Sequence, residues 1–373
     1  MTKKADETRF QEAQVLAYLK DKAQDILGVN QRFVNKKVTL QAAQNNLFKS
    51  QIEDKLERIF KDKIAVPQYK AKDRHTPTER ILNGIWSDLH FGSDLDPREV
   101  PTKYGIVEES RRMAFIVQTL AEWKLQYRDE TQLFIHLIGD IIQNHLYDPR
   151  DGAPLAEQFS RAVHILTQAV VYLCGRFKKV TVFCTPGNHG RNTARHKDRA
   201  VNQKWDSLEN MIYFSIKTAL MTAKIPNVEV IIPLMPFYTW DAFGMSGFGT
   251  HGDTVVTPGY PNKSIDTEKV RRQVNEINGK LAPDKRHRLF ICGHVHVDSE
   301  TKLPNGVIFM TNSCLLPPDA YAVSIGITHN ACSQKIWESV PGHIVGHKLT
   351  VDVDEHTDKD KSLDKIIKPF FGF

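Results

Sequence analysis

No run in this 373-residue sequence is long and apolar enough to cross a bilayer. The first ten residues, MTKKADETRF, place lysines ahead of no apolar core, so they do not read as a secretory signal. Cysteine is scarce: Cys174, Cys184, Cys292, Cys314 and Cys332 are odd in number and lack C-x-x-C spacing. Most lie in apolar runs, which fits reduced core residues of a cytoplasmic protein and excludes a disulfide scaffold or a cysteine zinc cluster. There are no internal repeats, no low-complexity tracts and no glycine-rich phosphate loop. What remains is a composition that is 41% hydrophobic and 25% charged, the balance of a globular protein.

The formal charge of +6 is unevenly placed. Residues 1–80 carry 17 lysines and arginines against 11 acids, while the rest of the chain is balanced. Such a basic region suits a phosphate-bearing partner, or else is only a solvated helical arm. Residues 1–60 have helical periodicity. Val15, Leu16, Leu19, Ala23 and Ile26 recur at helical spacing, and Ser50 with Glu53 forms a capping box before Ile52, Leu56 and Ile59. This region resembles a helix-turn-helix without the usual glycine, and a packing or dimerisation arm is the alternative. Residues 61–80 are basic, contain two prolines and lack periodicity, as a linker does.

From residue 81 the pattern changes. Apolar runs of strand length lie at 81–87, 132–139, 179–184, 227–233, 288–292 and 306–311. Helical segments at 155–177 and 205–223 fall between them, which predicts an α/β domain over 81–352. Residues 353–373 form a charged tail with an aromatic end.

Five of these stretches share one design, an apolar run followed at once by metal-binding side chains. IWSDLHFG supplies Asp88 and His90, LFIHLIGD supplies Asp140, and VTVFCTPGNHG supplies Asn188 and His189. GFGTHGDT supplies His251, and RLFICGHVHVD supplies His294 and His296. Asp88 and His90 are two apart, so in an extended segment they would point to one side and could meet one ion. His136, inside an apolar strand, reads as a core or surface residue and not a ligand. Singly these motifs are weak. Together they offer three carboxylate or amide oxygens and five imidazoles, a mixed set suited to Mn²⁺, Fe²⁺ or Zn²⁺ more than to Mg²⁺ or Ca²⁺.

In this order, D-x-H, G-D, G-N-H, H-G-D and G-H-x-H resemble the calcineurin-like metallophosphoesterase superfamily over roughly residues 81–352. The resemblance implies a sandwich of two mixed β-sheets flanked by helices, with the site at the strands' carboxyl ends. It implies two divalent ions, Mn²⁺ being favoured. Asp88, His90, Asp140 and His296 would hold one; Asp140, Asn188, His251 and His294 would hold the other, Asp140 bridging. His189 would be catalytic and not a ligand, and hydroxide generated between the ions would attack phosphorus. The sequence departs from the family where Gly190 replaces the common acid after G-N-H, so support for His189 must come from elsewhere. Asn144, with Gln143 and His145 beside it, stands four residues after Asp140.

Three features lean towards nucleic acid as substrate. Arg191 and Arg195, with His196, Lys197 and Arg199, follow the G-N-H motif and could hold neighbouring phosphates, or form a solvated face. The basic residues 1–80 could add affinity for DNA. The segment PPDAYAVSIGITHNACSQKIWES is similar to the closing segment of phage-type members near the DNA-repair nuclease branch. The expectation is a two-metal phosphodiesterase acting on nucleic acid. The alternatives are a phosphatase or phosphodiesterase for small nucleotides or phosphoproteins, and a DNA-binding or scaffold subunit with little turnover. Finally, Asp364, Ile367, Phe370 and Phe371 approximate a sliding-clamp-binding peptide, with Asp in place of Gln and Pro369 inside.

Overall fold

The computed structural model describes residues 79–367 except 101, 126–130, 147–151, 193–203, 262–263, 325, 328–330 and 356–362. The helical and linker expectations for residues 1–78, the basic residues Arg195 to Arg199 and the terminal phenylalanines all lie outside the described residues.

Strands β1 (Ile81–Trp86), β2 (Gln132–Ile138), β3 (Lys179–Thr185) and β4 (Val228–Ile231) are parallel neighbours. They are joined by helices α1 (Ile106–Leu125), α2 (Leu155–Cys174) and α3 (Leu208–Thr222). Parallel pairing requires such crossovers, and strands covered on both faces read as continuous apolar runs. Strands β10 (Ser333–Ser339) and β11 (Lys348–Asp352) add antiparallel to β1, giving the six-stranded order β11-β10-β1-β2-β3-β4.

The second sheet has the order β5-β6-β7-β9-β8. Its centre is parallel: β6 (Met245–Thr250), β7 (Leu289–Cys292) and β9 (Ile308–Thr311). Strands β5 (Phe237–Ala242) and β8 (Ser299–Lys302) close the edges antiparallel. Helix α4 (Thr267–Gly279) sends Val270 and Val274 onto the outer face of this sheet, against Phe248 and Phe290. A short helix α5 (Ala320–Ser324) precedes β10.

The fold is therefore α/β, with two mixed sheets and flanking helices. Between the sheets Ile81, Ile85, Phe134, Ile138 and Phe183 meet Tyr238, Trp240, Leu289, Ile291 and Met310. His136 is in this core and fully buried. It is bonded to the Tyr238 hydroxyl at 2.8 Å and stacked near Phe183 and Trp337. Burial drives its pKa down to about 3, so it stays neutral. All five cysteines are buried thiols outside any disulfide. Among the described residues no helix is long and apolar enough to cross a membrane. Leu363 and Ile367 are each only 1% exposed, so a clamp-bound peptide using Ile367 would first have to leave its buried position.

The register positions the site. Trp86 pairs with Leu137, and Leu137 with Cys184, so β1, β2 and β3 end side by side. The residues that follow, Asp88, Asp140 and Asn188, emerge at one rim. In the other sheet β6 and β7 run parallel and deliver His251, His294 and His296 in the same manner.

Candidate metal centre

The loop after β1 is not extended. Asp88 has φ 53° and His90 φ 48°, both left-handed. The expectation that their spacing aims both side chains along a strand face is corrected: β1 ends at Trp86, and a left-handed turn does the aiming instead. That turn is laid on the neighbouring loop, because Asp88 N–H donates to Gly139 O and His90 N–H to Asp140 O, each at 3.0 Å. Asp140, Asn144, His294 and His296 also have positive φ. Left-handed backbone costs an L-residue on the order of 1–2 kcal/mol, and six such residues at one rim mark a strained, over-determined site.

The side chains converge in two sets. Asp88, His90 and His296 each offer a ligand atom, all within 4.8 Å of one another; Asp140, His251 and His294 do the same. In the first set His296 Nε2 lies 3.4 Å from both Asp88 Oδ1 and His90 Nε2. In the second, His251 Nε2 is 3.1 Å from both Asp140 Oδ2 and Asn188 Oδ1. The sets adjoin. His294 N–H donates to Asp88 at 2.9 Å, and His189 N–H donates to Asp140 at 2.7 Å while the His189 ring meets His90 edge-on at 4.6 Å. Asp140 groups with the second set, and His189 connects it to the first.

This donor set fits divalent cations. His251 Nδ1 donates to Ile138 O at 2.7 Å, which fixes the tautomer and turns the Nε2 lone pair towards two acceptor oxygens. Lone pairs facing one another in a buried site call for a positive charge between them. Burial works against a charge on His251, but Asp140 prevails and raises its pKa to about 10. Burial also opposes ionisation of Asp140, yet His251 and His189 hold its carboxyl well below the usual range. Burial, followed by His251, lowers His294 to about 4, and burial, followed by His189 and His296, lowers His90. Neutral imidazoles are what a metal takes, so His90 and His294 stand ready for one, while His251 would exchange its Nε2 proton for the ion.

His189 touches both sets but belongs to neither. Its Nδ1 donates to Gln143 O at 2.7 Å, and Asn144 Nδ2 donates to His189 O at 2.6 Å and Arg191 O at 2.9 Å. Support for this histidine thus comes from the segment after Asp140. Gly139 and Gly187 let the two loops touch: a Cβ at Gly187 would stand 2.1 Å from Asp140 Oδ1, and one at Gly139 2.2 Å from Gly187 N.

Sequence reasoning missed the residues that tie these loops together. Glu109, in the first turn of α1, accepts from Gly92 N–H at 2.8 Å. Gln158 accepts from Asn144 N–H at 2.6 Å. Lys204, only 2% exposed, donates to Pro186 O at 2.6 Å and Asp253 Oδ1 at 2.9 Å. Glu209, in the first turn of α3, accepts from Ile141 and Gly187. Acids in a helix's first turn ordinarily read as complements of its dipole, and nothing in the sequence marks these two as buried.

No protein-family model matches the sequence, and no curated protein matches it. Several solved structures are similar in fold. A dimetal phosphatase from Danio rerio is 11% identical, with 74% of this chain and all of that chain covered, at a TM-score of 0.33. The calcineurin-like phosphoesterase YfkN from Bacillus subtilis is 11% identical, with 78% and 96% covered, at 0.32. A 5'-nucleotidase from Candida albicans is 7% identical, with 80% and 58% covered, at 0.32. The chain spans only 58% of that nucleotidase, and the same share of a Staphylococcus aureus chain classed with the nucleotidases. Likeness at this level carries none of the functional reading, which stands on the site itself.

Proposed function

We propose that the protein is a phosphoester hydrolase that works with two divalent metal ions. The observation that supports this most is the pair of adjoining three-residue sets, each within 4.8 Å, with His189 beside both. Asp88, His90 and His296 would hold one ion. Asp140, His251 and His294, with the Asn188 oxygen, would hold the other. When bound, such ions supply Lewis-acid charge for a phosphoryl group and a water acidic enough to attack it near neutral pH.

The chain's own groups do the rest. His189 keeps its Nδ1 proton on the Gln143 carbonyl, which leaves Nε2 as the ring nitrogen available to substrate. From that position it would donate a proton to the leaving oxygen as a general acid. Asp140 accepts the His189 amide on one oxygen and faces His251 with the other, so the acid and the second set keep a fixed spacing. No side chain needs to act as the nucleophile.

For the substrate we favour nucleic-acid phosphodiesters. The surplus of positive charge in residues 1–80 and the position of Arg191 directly after the G-N-H loop support this. The test is a panel with Mn²⁺: single- and double-stranded DNA, RNA, small nucleotides, a phosphopeptide and an aryl phosphodiester. A nuclease would cleave the polymers, and its binding would weaken steeply with salt as counterions are released. Turnover of only small monoesters with a shallow salt dependence would assign it instead to the phosphatases.

A further inference from the structure

We infer that Glu209 is a positioning residue whose carboxylate sets the separation of the Asp140 and Asn188–His189 loops, and that Gly190 exists to give it room. The inference rests on the two-metal reading above. Glu209 is completely buried. One carboxylate oxygen accepts from the N–H of Ile141 at 2.6 Å, the other from the N–H of Gly187 at 2.7 Å. Ile141 follows Asp140 directly, and Gly187 directly precedes Asn188. A single rigid group therefore grips the backbone beside two candidate ligands that come from different strands.

A buried carboxyl group is expensive unless its hydrogen bonds are good, and here both oxygens accept from backbone N–H groups. Its place in the first turn of α3 adds the helix's positive end. Ser207 caps that turn by accepting from Glu209 N–H at 3.2 Å. The turn is also fastened to the loop it supports, since Leu208 N–H donates to Gly190 O at 2.8 Å and Ser207 Oγ donates to the same oxygen at 3.1 Å.

Gly190 links the device to the sequence. A Cβ there would lie 2.3 Å from Ser207 Oγ, and 2.7 and 2.9 Å from Glu209 Cγ and Cδ. A side chain at this position must displace the Ser207 hydroxyl and the Glu209 side chain, and with the latter its grip on the two amides. Gly190 and Glu209 should therefore be energetically coupled, in a direction that simple packing would not give.

The test uses the full chain, stripped of metal and then titrated with Mn²⁺ by calorimetry. Hydrogen exchange is measured on the stripped protein, so that this arm does not depend on metal or activity. Glu209→Gln and Gly190→Ala should each weaken Mn²⁺ binding about tenfold or more. Each should also raise exchange across residues 139–145 and 186–191, while cooperative melting is kept. In a Glu209→Ala background, Gly190→Ala should cost clearly less, because only the contact with Ser207 Oγ is left to obstruct it. If Glu209→Gln does not fold, the two Gly190→Ala comparisons carry the same test. Unchanged exchange and Mn²⁺ affinity in Glu209→Gln, or an equal cost of Gly190→Ala with and without the Glu209 side chain, would overturn the inference. Wild-type protein that binds no Mn²⁺ would defeat the two-metal reading instead, and the exchange arm would still decide whether Glu209 positions the loops.

Discussion

At the scale of single residues, the site separates groups that would hold metal from one that would move a proton. His189 is bonded through Nδ1 to a backbone carbonyl and belongs to neither three-residue set. His189→Ala should therefore retain metal and lose turnover, by roughly 10²–10⁴-fold for a general acid. Metal analysis with a rate assay on the same sample checks this, and loss of metal would make His189 a ligand. Glu109 gives a second prediction, on stability. It is fully buried, and burial, against the opposing pull of Arg161, raises its pKa to about 7. The folded protein therefore holds a proton on Glu109 that the unfolded chain releases in the ordinary glutamate range. Between those values folding takes up a proton, so stability falls as pH rises towards 7 and then levels. Glu109→Gln can still accept from Gly92, and its melting temperature should fall less than that of the wild type between pH 5 and 8. Each kcal/mol corresponds to about 2 °C in a domain of this size. Equal slopes would show that Glu109 does not titrate in this window.

At the scale of elements, the strand-end loops do the positioning, and their legibility in the sequence was uneven. The parallel strands stood out because they are buried on both faces: β1 is apolar or buried along its whole length. The edge strand β8, SETK, carries no apolar residue and gave no signal. Helix α1 was hidden because its buried side includes Glu109, Ser110 and Arg112, which break the apolar period. The ligand-bearing residues were legible as chemistry, but their geometry was not. An i, i+2 spacing suggested an extended segment, whereas the chain makes left-handed turns stitched to the adjacent loop. The loops after β2 and β3 are in backbone contact at Gly187, so Gly187→Ala should displace Asp140. The expected result is a loss of about 1–3 kcal/mol by overpacking, together with weakened metal binding. Denaturant unfolding and metal titration measure the two, and an unchanged metal affinity would mean that the loops can part without cost to the site.

At the scale of the molecule, two mixed sheets each deliver part of the constellation. β1, β2 and β3 carry Asp88, His90, Asp140 and Asn188, while β6 and β7 carry His251, His294 and His296. Each three-residue set draws on both sheets, so the site exists only when the sandwich is closed. The residues that hold it, Glu109, Gln158, Lys204 and Glu209, come from the helical side of the first sheet or the segment leading into it. Their function depends on burial and partner choice, which a single sequence does not display. Two metal ions per chain is the central claim, and metal content by mass spectrometry tests it most directly, on protein stripped by chelator, reloaded with Mn²⁺ and desalted. The account predicts two ions in the wild type, one in Asp88→Asn, one in His251→Ala, and two in His189→Ala. A wild type that retains fewer than two, or an Asp88→Asn protein that keeps both, would contradict it.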